Sequence, residues 1–193
     1  NFSMNLVKRL LPDVVAVALF ALISFVYFYP ANVEGLVLGQ HDHAAGVGAG
    51  QESKEYLERT GERTRWTNSL FGGMPTYQMS PSYESSDTLS FVERAYRLFI
   101  PGYTYYVFIM LLGFYILLRA FDFRAWMAAL GAVLWAFSSY FFIIIAAGHI
   151  WKVLTLAYIP VTIAGMVLIY RGKWLWGALL TALFVGLQIR SNH

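Results

Sequence analysis

The sequence predicts an all-α protein, a polytopic transmembrane bundle of five helices with a large outer loop between the first and the second. Three observations carry that expectation. Of the 193 residues, 58% are hydrophobic and only 13% charged, whereas roughly 25% charged is usual in soluble domains. The apolar residues collect into five long runs, each approaching the roughly 20 residues that cross about 30 Å of hydrocarbon. No stretch alternates with the period of two that a barrel strand needs, and lipid offers no partner to unpaired backbone groups, so helices are the expected spanning element.

The first run covers residues 14–29, after Lys8 and Arg9 and before Pro30. Asp13 at its start suits the positive end of a helix dipole. The run is too long for a secretory signal peptide and has no small-residue cleavage site before Pro30. Met4 is a plausible natural start, and the chain stops directly after an apolar segment, so an N-terminal fragment of a longer protein is expected. The whole of 1–193 reads as a single transmembrane domain.

An extracytoplasmic loop, 30–102, follows. Within it 44–50 carries glycines at 46, 48 and 50 and reads as flexible. Residues 51–65 are helix-like and charged, interrupted at Gly61, with Lys54/Glu58 and Glu55/Arg59 one turn apart. A tight turn is expected in the stretch 66–78, which runs Trp66-Thr67-Asn68-Ser69-Leu70-Phe71-Gly72-Gly73-Met74-Pro75-Thr76-Tyr77-Gln78, because Gly-Gly before Met-Pro favours one. Ser86 and Asp87 can cap a helix over 88–100. Leu89, Val92, Tyr96 and Phe99 share one of its faces, with Glu93, Arg94 and Arg97 largely elsewhere, which fits a helix lying in the membrane interface.

The remaining spans are expected at 103–118, 126–147, 153–170 and 174–189. Orientation follows from the short connections: Arg119 and Arg124, Arg171 and Lys173, and Lys8 and Arg9 mark the cytoplasmic side by the positive-inside rule. The large loop, the turn 148–152 and the end of the last helix then share the outer face. Cysteine is absent, which excludes disulfides and thiol chemistry. The net charge of +3 is spread between loops, so no nucleic-acid partner is expected.

Asp42 stands soon after the first helix, where a carboxylate can act as general base or ligate a divalent cation through oxygen. His41-Asp42-His43 does not read as a metal cluster, because adjacent residues rarely point at one ion and no spaced third ligand is evident. Trp66, Asn68, Gly72, Gly73 and Gln78 bring the aromatic and amide groups that suit a sugar or a lipid headgroup, although a loop packed on the bundle for structural reasons has the same composition. His149 and Lys152 interrupt the apolar sequence, and Arg190, Asn192 and His193 sit where the positive-inside rule disfavours Arg. Lys152 also has the option of snorkelling to the interface. Gathered on one face, these groups would receive a phosphate. Ser138, Ser139 and Tyr140 are expected to bond to backbone or neighbouring helices.

Four segments together, Trp66 to Pro75, Phe137-Ser138-Ser139-Tyr140-Phe141, Ala147-Gly148-His149 and Arg190-Ser191-Asn192-His193, resemble the N-terminal part of the bacterial membrane protein YfhO family. The resemblance implies a GT-C-like fold and a glycosyltransferase in the bacterial cytoplasmic (inner) membrane, and the charge bias above makes its N-terminus cytoplasmic. Such an enzyme moves a sugar from a lipid-linked donor, a polyprenyl phosphate, to a cell-envelope glycan or lipid acceptor. It places the catalytic acid in the first outer loop, which Asp42 matches by position. No cofactor is expected, a divalent cation at Asp42 being the alternative. A transporter or flippase of lipid-linked substrates, or a non-catalytic assembly protein, are the rival readings.

Overall fold

The computed structural model describes residues 2–76 and 87–191. In chain order the elements are α1 (Phe2–Tyr27), α2 (Tyr29–Val33), α3 (His41–Ala49), α4 (Gln51–Thr60), β1 (Trp66–Thr67), β2 (Met74–Pro75), α5 (Asp87–Tyr96), α6 (Thr104–Ala120), α7 (Ala125–Ala136), α8 (Ser139–Ala147), α9 (Ile150–Tyr170) and α10 (Trp174–Arg190). The protein is mostly helical, and among the described residues the one small departure from an all-α fold is the β1–β2 hairpin.

Among the described residues two helices are long and apolar enough to cross a membrane, α1 over Val7–Tyr27 and α9 over Ile150–Tyr170. The pair α7 and α8 passes the same test jointly but is bent by 48°. With 17 residues each, α6 and α10 reach only about 26 Å, a little short of a hydrocarbon core of about 30 Å. Of the five runs, length and composition therefore support two spans, or three with the bent pair.

The expected single helix over 126–147 is broken at Ser138, whose ψ of 141° is extended. The break lets rings pack that a straight helix would separate. Phe137 and Phe142 both contact Tyr27 of α1, and Trp135 lies 4.5 Å from Phe141. Ser138 thus marks the corner.

α6 is the central helix, with Val107, Phe108, Ile109, Met110 and Leu111 almost wholly buried. It runs antiparallel to α1, as the Asp13–Arg119, Phe20–Tyr115 and Asn32–Thr104 contacts show. Small residues set the separations, as in other membrane bundles. Ala128, Ala132 and Ala136 form a fully buried stripe on α7, four residues apart and so on one face. A Cβ on Gly113 would stand 2.6 Å from the Ala157 carbonyl, and one on Gly177 would stand 2.6 Å from the Gly165 carbonyl. Those two glycine contacts join α6 to α9 and α9 to α10.

Several expectations need correction. Asp13 does not begin a helix, because α1 starts at Phe2. Its carboxylate instead accepts from Arg119 at 2.8 and 3.2 Å and from the Tyr115 hydroxyl at 2.5 Å. At the same end, Arg171 pairs with Asp122. Residues 41–49 are helical where flexibility was expected. No atom lies within 4 Å of where a Cβ on Gly46 or Gly48 would be, so neither glycine is required for space.

α5 stops at Tyr96, not at Ile100, since Leu98 and Phe99 adopt left-handed backbone at φ 52° and 58°. Ser86 lies outside the described residues. The C-terminal end of α5 packs on the bundle: the Tyr96 ring is 4.8 Å from Phe184 and 6.2 Å from Tyr158, between α9 and α10, while Phe99 is exposed. Arg97 stacks on Tyr105 at 4.1 Å. Lys54 and Glu58 do pair, at 3.7 Å, whereas Glu55 accepts from Gln51.

Gly177→Leu is expected to lower stability in detergent by about 1–3 kcal/mol through overpacking. Gly46→Ala, with open space at its Cβ, should be neutral or stabilising by up to about 1 kcal/mol. Equilibrium unfolding in mixed micelles separates the two.

Candidate functional site

The site begins with Gln40. It is buried, its backbone is extended, and its side-chain amide donates to the Ile145 carbonyl at 2.6 Å. That bond seats the start of α3 on the end of α8, where the Ile145 carbonyl also accepts from the Gly148 N–H at 3.1 Å. Gly148 caps α8 at φ 96°, and a Cβ there would meet the His43 backbone nitrogen at 2.8 Å. Glycine is therefore needed both for the left-handed turn and for the approach of α3.

This docking brings Asp42 to His149, with Oδ2 and Nε2 3.0 Å apart. The two side chains are 56% and 48% exposed. An ion pair so open adds only about 0–1 kcal/mol to stability, so the contact is not one the fold depends on. His149 precedes α9, and Lys152 lies in its first turn. The positive end of the α9 dipole and the Lys152 ammonium favour an anion at the same place. Lys152 Nζ also lies 5.6 Å from the Tyr140 ring centre.

Asp42, His149 and Lys152 line one cleft of about 710 Å³. Lys54 from α4, Arg63 beyond it and His43 add positive or titratable groups, while Val47, Leu57 and Trp151 give it an apolar side. A depression of about 350 Å³ elsewhere surrounds Asp13, Tyr115 and Arg119, which satisfy one another. Among the described residues no three His, Asp or Glu side chains converge as a metal site.

The hairpin pairs Trp66 with Pro75 and Thr67 with Met74. Gly72 and Gly73 have φ of 74° and 122°, and the Trp66 ring lies against Gly73 so closely that a Cβ would stand 2.7 Å from it. The anchor is Glu52 on α4. Its carboxylate accepts from Thr67 Oγ1 at 2.5 Å, from the Asn68 backbone at 2.8 Å and from Asn68 Nδ2 at 3.4 Å. Ser69 donates to the Ala49 carbonyl at 2.8 Å. The Thr67 hydroxyl, then the Asn68 N–H, hold Glu52 below the usual carboxylate range.

The expected residues therefore divide. Asp42, His149 and Lys152 come together. Trp66, Asn68, Gly72 and Gly73 do not line the cleft: Trp66 Nε1 donates to Asn68 Oδ1 at 3.2 Å, and both belong to the hairpin's own framework. Only the hairpin's base, Thr64 and Thr76, reaches the cleft. Arg190 is likewise elsewhere, paired with Glu93 and donating to Ser90 Oγ at 2.8 Å. Gln78, Asn192 and His193 lie outside the described residues. Lys54 and Arg63 were not anticipated, although their placement in a charged helix and its exit was visible.

Compared with protein-family models, curated proteins and solved structures, the chain matches none.

Glu52→Gln is expected to lower the amide protection of residues 67–69 relative to the rest of the chain. Because the folded-state carboxylate titrates below its ordinary value, its contribution is present above about 4.5 and is lost as the pH falls through the lowered value. Wild-type protection factors at these amides should fall only under such acid conditions, as hydrogen exchange followed by mass spectrometry reads directly.

Proposed function

We propose that this chain forms the membrane-embedded part of a glycosyltransferase that moves a sugar from a polyprenyl-phosphate donor to a cell-envelope acceptor. The observation that carries the reading is the meeting of Asp42 and His149 at 3.0 Å in a cleft that also holds Lys152, Lys54 and Arg63. An acid–base pair beside clustered cations suits a reaction in which an acceptor hydroxyl loses a proton and a phosphate gains charge as it leaves. The apolar side formed by Val47, Leu57 and Trp151 suits the lipid part of the donor. The resemblance to the YfhO family points the same way.

In this reading α1, α6, the bent pair α7 and α8, α9 and α10 all cross the inner membrane of a bacterium in a GT-C-like arrangement. What supports the orientation is that Arg119 and Arg171 engage Asp13 and Asp122 at one end of the bundle. Lys8, Arg9, Arg124 and Lys173 belong to the same end, which positive-inside bias makes cytoplasmic. The cleft and loop 30–102 are then extracytoplasmic. Lys152 and His149 hold the donor phosphate and the acceptor proton respectively or jointly with Asp42, and the hairpin supports α4 from behind.

In nanodiscs supplied with a polyprenyl-phosphate sugar, Lys152→Ala should raise the donor KM about 10- to 100-fold, the loss of a charge-assisted hydrogen bond of about 1.5–3 kcal/mol. Arg190→Ala should instead lower stability by about 2 kcal/mol with the KM unchanged. Donor bound without turnover, or carried between leaflets, would favour a carrier of lipid-linked substrates over the transferase.

A further inference from the structure

We infer that Arg97 is a binding site for the phosphate of a membrane phospholipid, at the end of the bundle opposite the Asp13–Arg119 pair. An unsatisfied donor marks the place. Among the described residues two buried side-chain polar atoms have no hydrogen-bond partner, Arg97 Nε and the Tyr96 hydroxyl. The Tyr96 hydroxyl is neutral and lies inside the bundle, 3.4 Å from where a Cβ on Gly113 would stand. Arg97 differs, because it carries a charge that it cannot shed and is only partly buried. A buried group of this kind without an acceptor calls for one from outside the chain.

The protein supplies a platform but no counter-ion. The guanidinium lies over the Tyr105 ring, 4.1 Å from its centre. Its charge acts on Tyr105, Tyr106 and Tyr158, with Tyr105 close enough to accept from it. One phenol neither balances the charge nor satisfies five N–H donors. Among the described residues no carboxylate pairs with Arg97, and Glu93, one turn earlier, is taken by Arg190. Stacking uses a face of the guanidinium and leaves donors at its edge, which match the oxygens of a phosphate. Tyr105 stands in the first turn of α6, whose positive dipole end favours an anion at the same place.

The surroundings of the cation select a lipid over a free anion. Directly after Arg97, Leu98 and Phe99 turn away in left-handed backbone, and both side chains are exposed. Phe91 is exposed too, its ring 6.2 Å from that of Phe99. Exposed apolar groups beside an unpaired cation, at one end of an apolar helix, suit a phospholipid whose phosphate meets the guanidinium while its acyl chain covers the rings. Arg97 does not line the cleft of Asp42 and His149. The site therefore depends on membrane insertion alone and not on the transferase reading.

The test uses dodecyl maltoside, a detergent without phosphate. Phenylglyoxal should modify Arg97 of the wild-type chain, and dioleoylphosphatidylglycerol should slow that reaction by about tenfold or more, as peptide mass spectrometry reads. Dioleoylglycerol, with the same acyl chains and no phosphate, should leave the rate unchanged, and so should inorganic phosphate at the same concentration. Equal protection by inorganic phosphate, equal protection by dioleoylglycerol, or none by the phospholipid overturns the inference. Because it is made on the wild type, this measurement stands whether or not a variant folds. In native mass spectrometry Arg97→Gln should weaken phosphatidylglycerol retention by about 10- to 100-fold. Arg97→Lys, which keeps the charge and loses the planar fork, should be intermediate. Arg94→Gln, on the same helix, should be unchanged, and an equal loss there would mean general attraction of anionic lipid in place of a site.

Discussion

The hydrogen bond from Gln40 to the Ile145 carbonyl is the contact on which the arrangement of the cleft depends. The Gln40 side chain is buried, and leaving its amide unpaired costs about 1–3 kcal/mol. The bond therefore fixes where α3 can sit, and Gly148 fixes how close it can come. Asp42 and His149 meet as a result. Their own attraction, between half-exposed groups, is too weak to have arranged them.

The same logic runs through the bundle. Contacts that hold elements apart or together are made by backbone and small residues, as at Gly113, Gly165 and Gly177. Charged side chains tie ends instead: Asp13 to Arg119, Asp122 to Arg171, Glu93 to Arg190. Lys152, Lys54 and Arg63 instead sit in the cleft.

Much of this was legible in the sequence. The apolar runs locate all the long helices because hydropathy over about 20 residues is a collective signal that one substitution does not erase. Asp42, His149 and Lys152 were identifiable as polar groups interrupting an apolar context. Other features were not legible, for identifiable reasons. Arg190 looked available because its partner Glu93 lies far away in the chain. The framework role of Trp66 and Asn68 was not legible because aromatic and amide side chains suit a ligand surface equally well, and the Glu52 carboxylate to which Asn68 donates stands on another element. The glycines of 44–50 suggested mobility, yet the docking of Gln40 outweighs their modest helix penalty of about 1 kcal/mol each. The corner at Ser138 follows from ring packing against Tyr27, which no local pattern records.

That corner has a mechanical meaning. A continuous helix carries a push or a twist along its length through its chain of hydrogen bonds. At Ser138 the chain is cut, and α7 and α8 meet at 48° like two arms of a crank. Because α8 leaves α7 at this angle, Gly148 and the start of α9 are set where α3 docks, and the place of the cleft follows from the corner.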